Sequence, residues 1–216
     1  MSDKEKKVSL VVVKRLPRYY RYLRELLSRG VSRVSSRELS LKMGVTASQI
    51  RQDLNCFGGF GQQGYGYNVE QLCQEIGTIL GLDRGYKTII IGAGNLGHAL
   101  ANHTNFAKRG FTLIGIFDSD PNVAGGEING IKVRHADELA DFVKEHNPEI
   151  AILAVPKAAV NRVANELVAL GVRGLWNFSY TELSLPDSVA VENVHLSDSL
   201  MTLSYKFTNL DSGDLL

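Results

Sequence analysis

Thr88-Ile89-Ile90-Ile91-Gly92-Ala93-Gly94-Asn95-Leu96-Gly97 is the stretch that decides the fold. An apolar run leads straight into three glycines at spacings of two and three, and a helical pattern follows. A lone GxGxxG carries little; the strand-turn-helix context gives it meaning. Gly92 permits the tight turn. Gly94 lets the backbone approach a pyrophosphate, and Gly97 lets the helix pack closely on the strand. Phosphate charge suits the free N–H groups and positive dipole end of a helix opening at Asn95. The candidate cofactor loop is therefore Gly92, Ala93, Gly94, Asn95, Leu96 and Gly97.

Outward from this loop, apolar runs alternate with helical stretches. Strands are expected at 87–91, 113–118, 131–133, 150–155, 174–177 and 189–193, and helices at 95–108, 136–145 and 158–170. Such alternation predicts a Rossmann-like, doubly wound, mainly parallel sheet. Ligands bind outside the carboxyl ends of such strands. The second strand ends at Asp118, 21 residues after Gly97. A carboxylate there accepts hydrogen bonds from both adenosine ribose hydroxyls and repels a 2′-phosphate. Neither Ser119 nor Asp120 can hold one, so the expected cofactor is NAD(H), not NADP(H). Two later strand ends, Ala154-Val155-Pro156 and Asn177-Phe178, are placed to line a nicotinamide pocket; Trp176 reads better as core. The plainer alternative is a phosphate-free glycine turn, or a sheet that binds another nucleotide.

Upstream the grammar is helical. Leu16, Tyr19, Tyr20, Leu23, Leu26 and Leu27 recur at spacings of three and four from Arg15 onward, with Pro17 in the first turn. Ser35 and Glu38 have capping-box spacing for a short helix that ends at Gly44, and Thr46 and Gln49 have it for a third that runs to about Phe57. Two helices joined by a short turn are helix-turn-helix grammar, in which the second helix enters a DNA major groove. Thr46, Ser48, Gln49, Arg51 and Gln52 offer polar groups near its start, while Ile50 and Leu54 face inward. The glycine-rich stretch from Gly58 to Tyr67 reads as a wing, with Gln62, Gln63 and Tyr65 near a backbone or minor groove. Lys14, Arg15, Arg18 and Arg37 can neutralise phosphates. The plainer alternative is a small packing module with solvated charges.

Charge favours the DNA reading. Residues 1–57 hold 13 Lys+Arg against 5 Asp+Glu, a net of +8, and the remaining residues carry −7. Segregated sign suggests a basic module for a polyanion joined to an acidic one with another job. Hydrophobic residues at 44% and charged residues at 22% exclude a disordered chain, a collagen-like fibre and a coiled-coil rod. No signal peptide or membrane span is expected. Cys56 and Cys73 make neither a metal spacing nor a disulfide framework, which points to a reducing cytoplasm and no metal. No HExxH, GxSxG or CxxC occurs. Leu196, Leu200, Leu203 and Phe207 form a terminal apolar stripe with no following strand to cover. The domains expected are 1–82, a winged helix-turn-helix; 83–195, the Rossmann-like sheet; and 196–216, a dimerisation helix.

Taken together, these stretches resemble the Rex family of redox-sensing transcriptional repressors over nearly the full length. The resemblance is carried by 14–23 (KRLPRYYRYL), 49–54 (QIRQDL), 57–67 (FGGFGQQGYGY), 92–97, 117–120 (FDSD), 154–156 (AVP) and 176–178 (WNF). It implies a homodimer that binds double-stranded operator DNA, with the last helix exchanged between subunits. It also implies release from DNA when NADH closes the Rossmann domains. Arg21 is implied to report the cofactor state together with a tyrosine and an aspartate, whose places His103 and His195 take here. Two titrating imidazoles in place of a permanent charge predict weaker coupling that falls further toward pH 6. Gln52 stands where the recognition helix usually has a second basic residue, and Ser179-Tyr180 where the family has alanine-proline. Two other readings stay open: a small NAD-dependent oxidoreductase, and a nucleotide-binding subunit resembling the CoA-binding domains of ligases.

Overall fold

The computed structural model describes residues 8–57, 61–62, 65–103 and 106–210. They divide into two compact units, one ending at Arg84 and the other beginning at Gly85.

The first unit opens with α1 (Leu10–Ser28), capped by the Ser9 side chain. The sequence pattern predicts its start near Arg15, with Pro17 in the first turn. The helix instead begins five residues earlier, because Val12, Leu16, Tyr19, Leu23 and Leu26 form one buried stripe at spacings of four and three. Pro17 therefore sits inside the helix, on its exposed face, where the missing N–H interrupts the ladder without disturbing the stripe. Strand β1 (Arg33–Val34) leads to α2 (Ser36–Met43), whose capping box of Ser35 and Glu38 is complete. A turn through Gly44 leads to α3 (Ala47–Asn55). The Thr46 hydroxyl accepts from the Gln49 N–H, but the Gln49 side chain does not return to close the expected box; Asp53 takes it instead.

Strands β2 (Gly61–Gln62) and β3 (Gly66–Asn68) pair antiparallel, and β3 also pairs with β1. This small sheet is the expected wing; residues 58–60, 63 and 64 lie outside the described residues. Helix α4 (Val69–Ile79) packs on α1, and α2 packs on α3. Leu16, Leu23, Ile50, Leu54, Leu72 and Ile76 fill the core between them. The architecture is a winged helix-turn-helix.

The second unit is a seven-stranded sheet in the order β10-β9-β8-β4-β5-β7-β6. Its strands are β4 (Tyr86–Ile91), β5 (Phe111–Asp118), β6 (Glu127–Ile128), β7 (Ile131–His135), β8 (Ile150–Leu153), β9 (Gly174–Asn177) and β10 (Ala190–Asn193). All ladders are parallel except β6 against β7. Ile89 and Ile91 point into one apolar layer with Phe142, Val160 and Leu167, and Ile90 into the other with Ala101 and Val133. Burial on both faces explains why β4 reads as an unbroken apolar run.

Helix α5 (Asn95–Ala101) is shorter than expected, because the Asn102 side chain takes the His98 carbonyl and caps it; a single 3₁₀ turn follows at Ala107–Arg109. Helix α6 (Leu139–His146) starts after a 3₁₀ turn rather than at Ala136. Helices α7 (Lys157–Ala169) and α8 (Leu196–Thr208) complete the unit. No described helix is long and apolar enough to cross a membrane.

Candidate functional site

After β4 the chain runs to β5 and β7 on one side, then returns to β8 on the other. The reversal opens a crevice beyond the carboxyl ends of β4 and β8, the usual ligand position in such sheets. The Gly92–Gly97 loop crosses it. Gly92 has φ +98°, and a Cβ there would lie 2.5 Å from the Ala154 carbonyl oxygen. A Cβ at Gly97 would lie 1.8 Å from the Gly92 carbonyl oxygen, so only glycine lets α5 begin this close to the strand. Gly94 differs: its Cβ would meet nothing within 4 Å. It is the N-cap of α5 and makes no side-chain cap, so the helix presents its first N–H groups, around the exposed Asn95, to this open space. Leu96 is half-buried beneath them.

Asp118 ends β5 beside the loop. One carboxylate oxygen accepts from the Ala93 N–H at 2.6 Å, and the other from the Asp120 N–H at 2.8 Å. Ala154, Val155 and Pro156 leave the sheet after β8, with the Ala154 N–H still bonded to the Ile91 carbonyl. They border Gly92 from the far side of the crevice. The fold thus brings Gly92–Gly97, Asp118 and 154–156 to one edge.

Phe178 follows β9, and its ring lies 4.7 Å from Trp176, which in turn meets Phe106 edge-on at 5.6 Å. His103 stacks on Phe106 at 4.5 Å, which extends the aromatic row to an exposed imidazole. Phe106 had no signal in the sequence beyond being aromatic.

Asn177 requires a correction. Its side chain is fully buried and fully bonded. Its Nδ2 donates to the Thr181 carbonyl and the Asn193 Oδ1, and its Oδ1 accepts from the Ser179 N–H and hydroxyl. No amide valence remains for a cofactor, so Asn177 fastens β9, β10 and the loop between them. His195 is the N-cap residue of α8, with Nδ1 3.9 Å from an Asp198 oxygen and Nε2 buried without a partner. Arg21 is exposed on α1.

In the first unit, α3 turns Ile50, Asp53 and Leu54 inward and leaves Ser48, Arg51 and Gln52 exposed. Thr46 is exposed at the N-cap, and the Arg51 guanidinium donates to the Ser36 hydroxyl at 3.1 Å. Lys14 and Arg18 are exposed on α1, and Arg18 reaches the Lys42 carbonyl. Tyr65 is 70% exposed between β2 and β3. Gln62 lies in β2, but its side chain is outside the described residues, as is Gln63.

Two expected DNA contacts are committed elsewhere. Arg15 makes a two-pronged ion pair with Asp53, both bonds at 2.6 Å, and Gln49 donates to the same carboxylate at 2.9 Å. The Tyr19 hydroxyl donates to it as well. Burial alone would push the Asp53 carboxyl up. The hydrogen bonds from Arg15, Tyr19 and Gln49, and the Arg15 charge, outweigh it and hold the group below the usual range. Burial and the bond to Asp53 push the Tyr19 phenol up. Nothing local foretells this cluster, since Arg15 and Asp53 are 38 residues apart. Among the described residues, no group of His, Cys, Asp and Glu side chains is placed to hold a metal ion.

Comparison with known proteins matches both units. Residues 83–181 match the family model described as a CoA binding domain, and residues 7–55 the one described as a putative DNA-binding protein N-terminus. The redox-sensing transcriptional repressor Rex of Clostridium perfringens (strain SM101) is 54% identical over 209 residues, 97% of this chain and 99% of its own. The Rex of Thermoanaerobacter pseudethanolicus is 58% identical over 204 residues, 94% and 91% of the two chains. The crystal structure of RSP in complex with β-NAD+ and operator DNA superposes with a TM-score of 0.89 at 54% identity, covering 97% of this chain and 99% of that one. The structure of RSP with β-NADH gives 0.89 at 53%, covering 96% and 97%; RSP is described as a Rex-family repressor. Such relatives are regulators of transcription, which sets aside the oxidoreductase reading. With both units matched at this identity over nearly all of its length, the chain belongs to the Rex family of redox-sensing transcriptional repressors.

Proposed function

We propose that this repressor takes NAD(H) in the crevice at Gly92–Gly97 and reads operator DNA with α3 and the wing. The observation that carries the cofactor half is the open space at Gly94 beside the uncapped start of α5. Asn95, Leu96 and Gly97 offer the pyrophosphate the free N–H groups at the start of α5, Gly94 leaves room for it, and Gly92 and Ala93, whose N–H groups are bonded to the Phe117 carbonyl and to Asp118, shape the turn. Asp118 accepts from the adenosine ribose. Ala154, Val155, Pro156 and Phe178 border the nicotinamide. The residues fit the group: no side chain stands at Gly94, where a Cβ would meet nothing within 4 Å, and the carboxylate at the end of β5 suits a ribose diol. When bound, NAD(H) supplies a redox-dependent charge and shape, and no reaction is carried out on it.

At the other end, Arg51, Gln52, Ser48 and Thr46 face the bases. Lys14, Arg18 and Tyr65 face the backbone. Residues 196–216 form the dimer element, exchanged between subunits. Its support is the row Leu196, Leu200, Leu203 and Phe207, each 58–72% exposed in the single chain. Arg21, His103 and His195 report the cofactor state to the DNA-binding unit. The protein works in the cytoplasm, where DNA and NAD(H) meet.

Trp176 is the one tryptophan and stands in the aromatic row beside Phe178, which makes it an internal reporter. Energy transfer from Trp176 to added NADH is expected to saturate. NADPH is expected to bind at least tenfold more weakly, because its extra phosphate meets Asp118. Equal affinities, or no transfer at any NADH concentration, would overturn the cofactor assignment.

A further inference from the structure

We propose that Asp53 is the positioning residue of the DNA-reading face: its carboxylate ties α3 to α1 and so fixes which α3 side chains meet the bases. The proposal rests on α3 being the recognition helix.

Asp53 is wholly buried and receives four donors. The Arg15 Nε and the Tyr19 hydroxyl reach one oxygen at 2.6 Å each. The Arg15 Nη2 at 2.6 Å and the Gln49 Nε2 at 2.9 Å reach the other. Two ionised oxygens offer about four acceptor sites, so the carboxylate is saturated. Three of the four bonds come from α1, and the fourth comes from the first turn of α3 itself. The network spans two helices and pins one to the other.

Stability alone is a poor reason for this arrangement. A buried ion pair often does no better than well-packed apolar groups of the same volume. What it adds is direction. Ile50 and Leu54 flank Asp53 on the inner face, and apolar contacts tolerate small rotations and slides of a short helix. A saturated carboxylate does not, since its hydrogen bonds hold only over about 0.5 Å in length. Base-edge contacts on the opposite face, where Ser48, Arg51 and Gln52 share one side, demand similar precision. The network has a second effect. It withholds Arg15 from phosphates and Gln49 from bases, which trims sequence-independent attraction and leaves the exposed trio to discriminate.

The test uses the full chain, a duplex selected by the wild type from a random pool, and a scrambled duplex of equal composition. Asp53→Asn is expected to lower discrimination between the two duplexes at least tenfold. Its affinity for the scrambled duplex is unchanged or raised, and NADH affinity is unchanged. The freed Arg15 neutralises one more phosphate, so the salt dependence steepens by about 0.9 per protomer. Adding Arg15→Gln removes that steepening without restoring discrimination. A merely structural role predicts parallel weakening on both duplexes with the slope unchanged, and that result overturns the proposal, as does retained discrimination. If Asp53→Asn does not fold, Tyr19→Phe and Gln49→Leu are judged by the same readouts. Arg51→Ala separates the two layers. If it too leaves discrimination intact, the recognition-helix reading fails; if it alone abolishes discrimination, only the role of Asp53 does.

Discussion

Gly94→Asp separates binding from folding more cleanly than any other change in the loop. The backbone at Gly94 has φ −65° and ψ −171°, an extended conformation that any residue adopts. A Cβ there touches nothing within 4 Å, so the substitution causes no clash. Aspartate is also a favoured N-cap, worth a few tenths of a kcal/mol over glycine. Stability should therefore hold or rise slightly. The new carboxylate, however, fills the open space in which we propose the pyrophosphate sits. One unit charge about 4 Å from another, at an effective dielectric of about 20, costs roughly 4 kcal/mol. At about 1.4 kcal/mol per decade this is a thousandfold loss of NADH affinity. Calorimetric titration gives the affinity and thermal melting gives the stability. Gly97→Ala is the contrast. Its Cβ would lie 1.8 Å from the Gly92 carbonyl oxygen, so both binding and melting temperature should fall. A folded Gly94→Asp protein that binds NADH as the wild type does would refute the pyrophosphate assignment.

On the DNA side, Arg51→Ala should weaken the selected duplex by about 1–3 kcal/mol, the usual cost of a lost bidentate base contact, whereas Lys14→Ala should weaken all duplexes alike and flatten the salt dependence. Gel-shift titrations at several salt concentrations check both. Truncation after Asn193 removes the exposed apolar row of α8 and should leave monomers or aggregates by sedimentation; a stable dimer contradicts the role given to that helix. The Asp53 carboxyl is held below its usual range in the folded chain, so its contribution is present above the unfolded value of about 3.9 and is lost as pH falls through the folded value. Asp53→Asn should thus cost about 3 kcal/mol near pH 7, the low end for breaking a buried pair because Arg15 is 28% exposed, and the deficit should shrink below about pH 4 in denaturant titrations.

Much of the second unit was legible because its signals are local. The apolar run, the glycine spacing and Asp118 lie within one βαβ unit, and each glycine proves to have its own spatial reason. The helix-turn-helix was legible through its caps, Ser35 and Thr46. What escaped were features set by tertiary contact. The start of α1 is hidden because Pro17 reads as a first-turn residue, while the buried stripe continues past it to Val12. Asn177 reads as a pocket residue, since a strand-end asparagine looks the same in sequence whether its amide is free or saturated. The pairing of Arg15 with Asp53 is not legible either, since nothing within a helical turn of Arg15 reveals a carboxylate 38 positions away. Strands β1 and β6, two residues each, carry no periodicity to detect.

Redox sensing requires that one chain couple cofactor state to DNA. Its most direct test is fluorescence anisotropy of the labelled selected duplex, with protein held at half-saturation, as NADH is titrated against a fixed excess of NAD+. Anisotropy is expected to fall to the free-DNA value as the NADH/NAD+ ratio rises, and Gly94→Asp protein is expected to stay bound throughout. Wild-type protein that remains on the duplex at saturating NADH would contradict it.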